Sequence, residues 1–225
     1  MLRDSIDTYS QPSIDDLSAK PNQEVALILN FIDNTIAGYR LYYITHKDSS
    51  KENRISDFLV YYLNACLRDD EFGGYPPFDF GKNPSQELSA KETDIGVVVL
   101  DKNTKQQTII EFEAKRFSDS SKNYQYVAGN DRGGIERFKK EEHGSHLTIC
   151  GMFGYIQSNT IKHWTDKINH WIEDKAIFDS PIDWKSIDEK LVKEVEFDNV
   201  EKWVSIHSRI TKPRLKLIHY FILLN

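Results

Sequence analysis

Thr93-Asp94-Ile95-Gly96-Val97-Val98-Val99-Leu100 and, after a polar connection, Ile109-Ile110-Glu111-Phe112-Glu113-Ala114-Lys115-Arg116 are the most informative residues of this chain. Both runs are rich in Val and Ile and predict strands over Asp94–Leu100 and Gln107–Arg116, joined by residues 101–106. Residues two apart in a strand share a face, so Glu111, Glu113 and Lys115 point one way while Ile110, Phe112 and Ala114 enter the opposite layer. Charges on one face of an otherwise apolar strand are an anomaly, because a buried charge is costly unless paired or bound to a metal. A hairpin centred between Asn103 and Thr104 places Asp94 directly opposite Glu113. Like charges so opposed destabilise a sheet. Something positive is therefore expected between them: a divalent cation, with Lys115 nearby. Hard oxygen ligands with open positions suit Mg²⁺ or Mn²⁺.

On either side, strands alternate with helices. Asn22–Ala37 carries a helical stripe of Val25, Ile28, Leu29, Ile32 and Ile36, ended by Gly38. Tyr39–Thr45, aromatic and β-branched, reads as a strand. Glu52–Leu67 reads as a helix with Ile55, Leu59, Tyr62, Leu63 and Cys66 on one face. Residues 69–92 are broken by Gly and Pro, with at most a short strand near Glu87–Ser89. Further on come a helix over Gly134–Glu142, a buried strand over Leu147–Ile156, a helix over Asn159–Lys175, and strands over Trp203–Arg209 and Leu215–Leu223. The class is α/β with a mixed sheet.

An Asp on one strand, Glu-x-Lys on the next, and a preceding helix bearing a Glu resemble the PD-(D/E)xK nuclease superfamily, the restriction-endonuclease-like fold. The matching residues are Asp94, Glu113-Ala114-Lys115 and Glu52, with Thr93 where the family name has Pro. The resemblance covers residues 50–157 and implies a central mixed β-sheet flanked by helices. Residues 1–49 would be an N-terminal lead-in, helix and strand, and residues 158–225 a helix and β-hairpin packed on the core, all in one domain. What the resemblance implies is metal-dependent phosphodiester hydrolysis. Asp94, Glu113 and the backbone carbonyl of Ala114 would hold Mg²⁺ or Mn²⁺, Lys115 would orient water and stabilise the transition state, and Glu52 would join through water or a second metal.

Other readings stand beside these. Ser49-Ser50-Lys51-Glu52 has the form of a capping box, so Glu52 is either a reciprocal cap or an inward-facing ligand. Glu111 is a third ligand or, as we favour, a strand-edge charge. Gly133-Gly134 before a helix presents N–H groups to a phosphate or simply starts the helix. In the family the helix after the Lys strand lies beside the active site, which makes Arg132, Arg137 and Lys139 expected backbone-phosphate contacts, with Gln125 a weaker one. Ser205, His207 and Arg209 alternate on one face, as a nucleic-acid groove wall or as a charged sheet edge. Trp164 and Trp171 have the spacing of core residues more than of base-stacking platforms.

Composition bounds the rest. The chain has 225 residues with 29 Lys+Arg against 35 Asp+Glu, a net charge of −6, which argues against coating nucleic acid by bulk charge. Residues 202–225 hold Lys202, Arg209, Lys212, Arg214 and Lys216 and no acid, so +5 lies there and −11 elsewhere. The N-terminus has no apolar signal segment, and the run Leu217–Leu224 is short and interrupted by His219. Cys66 and Cys150 lack metal-ligand spacing and read as reduced core residues. A cytoplasmic nuclease, most consistent with DNA as substrate, is the expectation. A partner protein such as a helicase, ATPase or sensor would deliver the substrate, and a homo-oligomer is compatible. A role in defence against phage or mobile DNA is analogy at the level of fold. The alternatives are a catalytically inactive nuclease-fold module that binds nucleic acid or protein, and a phosphoesterase acting on nucleotides.

Overall fold

The computed structural model describes residues 23–69, 78–84, 92–99, 108–129, 133–177, 182–185 and 188–225. The elements run α1 (Gln23–Thr35), a 3₁₀ turn (Ile36–Gly38), α2 (Tyr39–His46), α3 (Glu52–Arg68), β1 (Phe78–Lys82), β2 (Ile95–Val99) and β3 (Thr108–Phe117). A 3₁₀ turn (Asn123–Tyr126), α4 (Gly134–Lys139), β4 (Ile149–Ile156), α5 (Ile161–Ile177), β5 (Val192–Phe197), β6 (Val200–His207) and β7 (Leu215–Leu223) follow. The class is α/β: one seven-stranded mixed sheet in the order β1-β2-β3-β4-β7-β6-β5, flanked by helices. β3, β4 and β7 are parallel neighbours and the other pairings are antiparallel.

Register follows the expected hairpin. Ile95 opposes Phe112, Gly96 opposes Glu111 and Val97 opposes Ile110, with a shift after Val97. The connecting residues 100–107 lie outside the described residues.

The pleat divides the core into two. Ile110, Phe112, Ala114, Phe153, Tyr155 and Tyr220 pack with α1, α2 and α3 on one face. Phe117, Met152, Ile156, Leu217 and Phe221 pack with Tyr126, α4 and α5 on the other. β4 is buried along its whole length, as a strand covered on both faces must be. Trp164 belongs to this second core, 5.1 Å from Phe117 between ring centres, as its helical spacing predicts. Cys150 is buried, Cys66 half-buried, and both are free thiols. Among the described residues no helix is long and apolar enough to cross a membrane.

Several boundaries differ from expectation for physical reasons. Tyr39–Thr45 is helical, because Tyr39 and Tyr43 at i and i+4 both bury against α3, and the Tyr39 hydroxyl donates to the Ile55 carbonyl at 2.7 Å. Tertiary burial overrides the strand propensity of aromatic residues here. The strand preceding Asp94 is Phe78–Lys82, fixed to α3 by Asn64, whose side chain bonds both the N–H and the C=O of Phe80. The suggested strand near Glu87–Ser89 lies outside the described residues. β5 gave no sequence signal because it is almost wholly exposed.

Candidate active site

Four polar residues meet where β2 begins, where β3 leaves its hairpin and where α3 starts. Asp94 stands one residue before β2, and its Oδ2 accepts the Ala114 N–H at 2.7 Å. That bond extends the observed register and brings Asp94 beside Glu113, as the hairpin symmetry requires. Glu52 is the first residue of α3, and its Oε2 accepts the Arg116 N–H at 2.7 Å. The capping box does not form: Lys51 is the cap with no side-chain bond, and Ser49 Oγ accepts only from the Lys51 N–H at 3.2 Å. Glu52 is thus turned inward and pinned to the strand.

Lys115 completes the cluster. Its Nζ lies 2.6 Å from Glu113 Oε1, 2.9 Å from the Ala114 carbonyl, 3.8 Å from Glu52 Oε1 and 4.0 Å from Asp94 Oδ2. The ammonium therefore sits among the same four groups that the resemblance assigns to a metal. Burial raises Asp94, and Glu113 raises it further, to about 6. Burial also raises Glu52, against the pull of Lys115. For Lys115, burial acts downward, but Glu113, Asp94 and Glu52 outweigh it and the net shift is upward. The electrostatic picture is of carboxylates short of positive charge around one retained ammonium.

Glu113 is the hub. It is 2 % exposed, and besides Lys115 it meets Arg137 Nη1 at 3.2 Å from Oε1 and His143 Nδ1 at 3.4 Å from Oε2. Arg137, expected as a backbone-phosphate contact, lies at the site but directs its guanidinium to Glu113. His143 was not expected: it lies in an irregular segment, and the chain's histidines form no ligand-spacing pattern. Glu111 shares the face of Glu113 but is neither an edge charge nor a neighbour of Lys115. β3 is an interior strand, and Glu111, 1 % exposed, accepts the Gly144 N–H at 3.1 Å, bracing the segment that carries His143.

Gly133 and Gly134 serve close packing. A Cβ on Gly133 would lie 2.2 Å from Ala128 Cα, and one on Gly134 would lie 2.4 Å from Met152 Cε and 3.5 Å from Glu113 Cγ. Without side chains there, α4 starts against the wall of the site and aims Arg137 at Glu113.

Three expected nucleic-acid contacts are corrected, Lys139 and His207 by burial and half-buried Arg209 by its bonds to main chain. Lys139 is wholly buried and bonds Glu189 Oε1 at 2.6 Å and Oε2 at 2.8 Å, with the Asp183 carbonyl at 2.9 Å. Its ammonium is enclosed by Asp183, Trp184, Glu189 and Ser208, so it cannot reach a phosphate. His207 is wholly buried as well, 3.4 Å from Glu189 Oε2 through Nδ1 and 2.7 Å from Ser205 Oγ through Nε2. Arg209 directs its guanidinium to the carbonyls of Leu147 at 2.9 Å, Gly144 at 3.3 Å and Pro213 at 2.7 Å, clamping loops together. Gln125 lines a cleft beside Lys115, and Arg132 lies outside the described residues.

The buried groups form a continuous chain. Ser205 Oγ is 2.7 Å from His219 Nε2, and His219 Nδ1 is 2.8 Å from the Tyr126 hydroxyl. If His207 directs its Nδ1 proton toward Glu189, the remaining bonds have one consistent order. Tyr126 donates to His219, His219 to Ser205, and Ser205 to His207. Ser205, His207 and Glu189 stand as a nucleophile, base and acid would, but none is more than 2 % exposed, so no substrate reaches Ser205.

Lys115 divides the oxygens of the candidate site. Among the described residues, no three or more His, Cys, Asp or Glu side chains stand close enough together to hold a metal ion. The donor chemistry nevertheless fits a hard divalent cation, since Asp94, Glu113, Glu52 and the Ala114 carbonyl all lie within 4.0 Å of one ammonium nitrogen. Comparison with family models, with curated proteins and with solved structures returns no match.

Proposed function

We propose that this chain is a divalent-metal-dependent nuclease with a restriction-endonuclease-like core, acting on DNA. The observation that carries the reading is the position of the Lys115 ammonium, within 4.0 Å of Asp94, Glu113, Glu52 and the Ala114 carbonyl. The order α3, β2, β3, α4, β4 supports it, because the family resemblance implies helix–strand–strand–helix–strand over residues 50–157, and β1 stands where a first core strand is expected between the helix and Asp94.

Asp94, Glu113 and the Ala114 carbonyl would hold Mg²⁺ or Mn²⁺, with Glu52 beside them; such an ion, when bound, polarises the phosphate and lowers the pKa of water. The chain's own residues do the rest. The Ala114 and Arg116 N–H groups fix the orientation of the Asp94 and Glu52 carboxylates. Arg137 and His143 hold Glu113 from two sides. Lys115, drawn off Glu113, would donate to the attacking water or to a phosphoryl oxygen and stabilise the charge that develops there. In Mg²⁺ or Mn²⁺ the wild-type protein is expected to cleave plasmid or linear DNA. Asp94→Ala and Lys115→Ala should each lower the rate by roughly a hundredfold or more. Equal activity in all three proteins would overturn the assignment.

One observation favours a second reading, a non-catalytic module that binds nucleic acid or protein. Glu113 Oε1 is already shared by Lys115 and Arg137, so the cluster is partly neutralised by its own cations. A folded wild type that binds a partner or nucleic acid without cleaving it in either metal would support the module.

A further inference from the structure

Beside Lys115 the surface opens into a polar cleft of about 320 Å³. Glu52, Lys115 and Arg116 line it from α3 and β3, and Ser121, Lys122 and Gln125 line it from the segment that follows β3. Glu52 is the only acid in this lining, and it faces Lys115 at 3.8 Å. Arg116 and Lys122 therefore leave the cleft locally positive on a chain of net charge −6.

The wall after β3 is held in place by its own bonds. Asn123 accepts the Ser118 N–H at 3.2 Å through Oδ1 and donates to the Ser118 carbonyl at 2.9 Å through Nδ2. The Ser121 N–H reaches the Ser118 carbonyl at 3.1 Å, and the Gln125 N–H reaches the Lys122 carbonyl at 2.9 Å. The hydroxyls of Ser118 and Ser121 bond each other. Arg116 is anchored at both ends, its N–H on Glu52 and its guanidinium on the Ser50 carbonyl at 3.1 Å. On this fixed backbone the Lys122 side chain stays exposed and has no ion pair among the described residues. A wall ordered before binding loses little entropy when a ligand arrives.

We propose that this cleft is a subsite for the phosphate adjacent to the scissile one on the same nucleic-acid strand. Lys122 and Arg116 supply the charge, and the Ser121 hydroxyl and Gln125 amide supply hydrogen bonds. The proposal rests on the nuclease reading, because it takes the scissile phosphate to lie at Lys115. It also reconciles the acidic chain with a polyanionic substrate: attraction is confined to one cleft, and the rest of the surface disfavours unspecific contact.

The test is fluorescence anisotropy of a labelled oligothymidylate with the full chain in EDTA, over a range of salt concentrations. Lys122→Gln should weaken binding by about fivefold to tenfold and reduce the magnitude of the log–log salt slope by about 0.7, the amount for one phosphate contact on a single strand. Asn123→Ala, which frees the wall, should also weaken binding. Lys212→Gln, which removes the same charge elsewhere, should bind as the wild type does. Lys122→Gln matching Lys212→Gln, or a wild type that does not bind at low salt, would overturn the subsite. Metal-dependent cleavage is measured separately. Cleavage without an effect of Lys122 sinks the subsite alone, whereas Lys122-dependent binding without cleavage sinks the nuclease reading and leaves only a phosphate-binding cleft with no scissile neighbour.

Discussion

At the scale of single residues, the site is organised around Glu113, a buried carboxylate with Lys115, Arg137 and His143 about it. Its face, and its opposition to Asp94, were legible in the sequence because strand periodicity and hairpin symmetry are local properties. His143 was not, because nothing in sequence spacing reports a side chain brought in by a loop. Lys139 misled for a related reason. Lys139 reads as a phosphate contact, yet it is Lys140 that stays at the surface, paired i,i−4 with Glu136 at 3.2 Å, while Lys139 turns into the core. Breaking a buried ion pair from one side leaves an uncompensated charge. Glu189→Ala is therefore expected to destabilise the protein by about 3–5 kcal/mol. Urea unfolding checks this, and a loss below about 1 kcal/mol would show that Lys139 finds other partners or sheds its proton.

At the scale of elements, the strands carrying the site were readable and those at the margins were not. β2 and β3 combine β-branched residues with a register that only one hairpin satisfies. β5 is almost wholly exposed, and β1 is a five-residue strand that directly follows Pro77 and contains Gly81. α2 was read as a strand because aromatic residues suit either state, and only its i,i+4 tyrosines, packed on α3, decide for a helix. α4 offers the sharpest element-scale prediction. Gly133→Ala would place a Cβ 2.2 Å from the Ala128 backbone, which no side-chain rotation relieves. It should destabilise the fold by about 1–3 kcal/mol. It should also lower cleavage beyond the effect of stability by shifting Arg137 from Glu113. An unchanged melting temperature with unchanged cleavage would show that α4 does not depend on this close approach.

At the scale of the whole molecule, the net charge of −6 has a different meaning once its distribution is known. The basic C-terminal segment is not a free groove wall. Lys202 pairs with Asp33 at 2.7 Å and Glu194 at 3.2 Å, Arg214 lies 3.9 Å from Asp188, and Arg209 is bound to main chain. Tight, sequence-independent duplex binding by the isolated chain at physiological salt would contradict this picture. The same C-terminal strands set the acid sensitivity of the fold. Burial lowers His207, and burial followed by the neighbouring His207 lowers His219 well below the usual histidine range. Both are neutral in the fold and take up protons once unfolded, so their contribution is present above the unfolded value near about 6.5 and is lost as pH falls below it. For Glu189, burial acts upward, but the His207 hydrogen bond and Lys139 outweigh it and hold the carboxyl at about 2. Its contribution is present above the unfolded Glu value near about 4.3 and is lost as pH falls toward about 2. Asp94, raised to about 6, and Glu52, also raised, act in the opposite sense over the same range, so the histidine contribution is read in Asp94→Asn/Glu52→Gln, whose thermal melts from pH 8 downward should show a steady fall beginning near about pH 6.5. A flat profile to about pH 4 would mean that the two histidines are not buried neutral.

The most direct measurement of the central claim is Mn²⁺ binding to the wild-type chain, followed by electron paramagnetic resonance, beside Glu113→Ala and Lys115→Ala. The cluster reading predicts a bound ion in the wild type, loss of binding in Glu113→Ala, and binding at least as tight in Lys115→Ala, where no ammonium competes for the four oxygens. Wild-type protein that binds no Mn²⁺, or binds it equally well without Glu113, would contradict it.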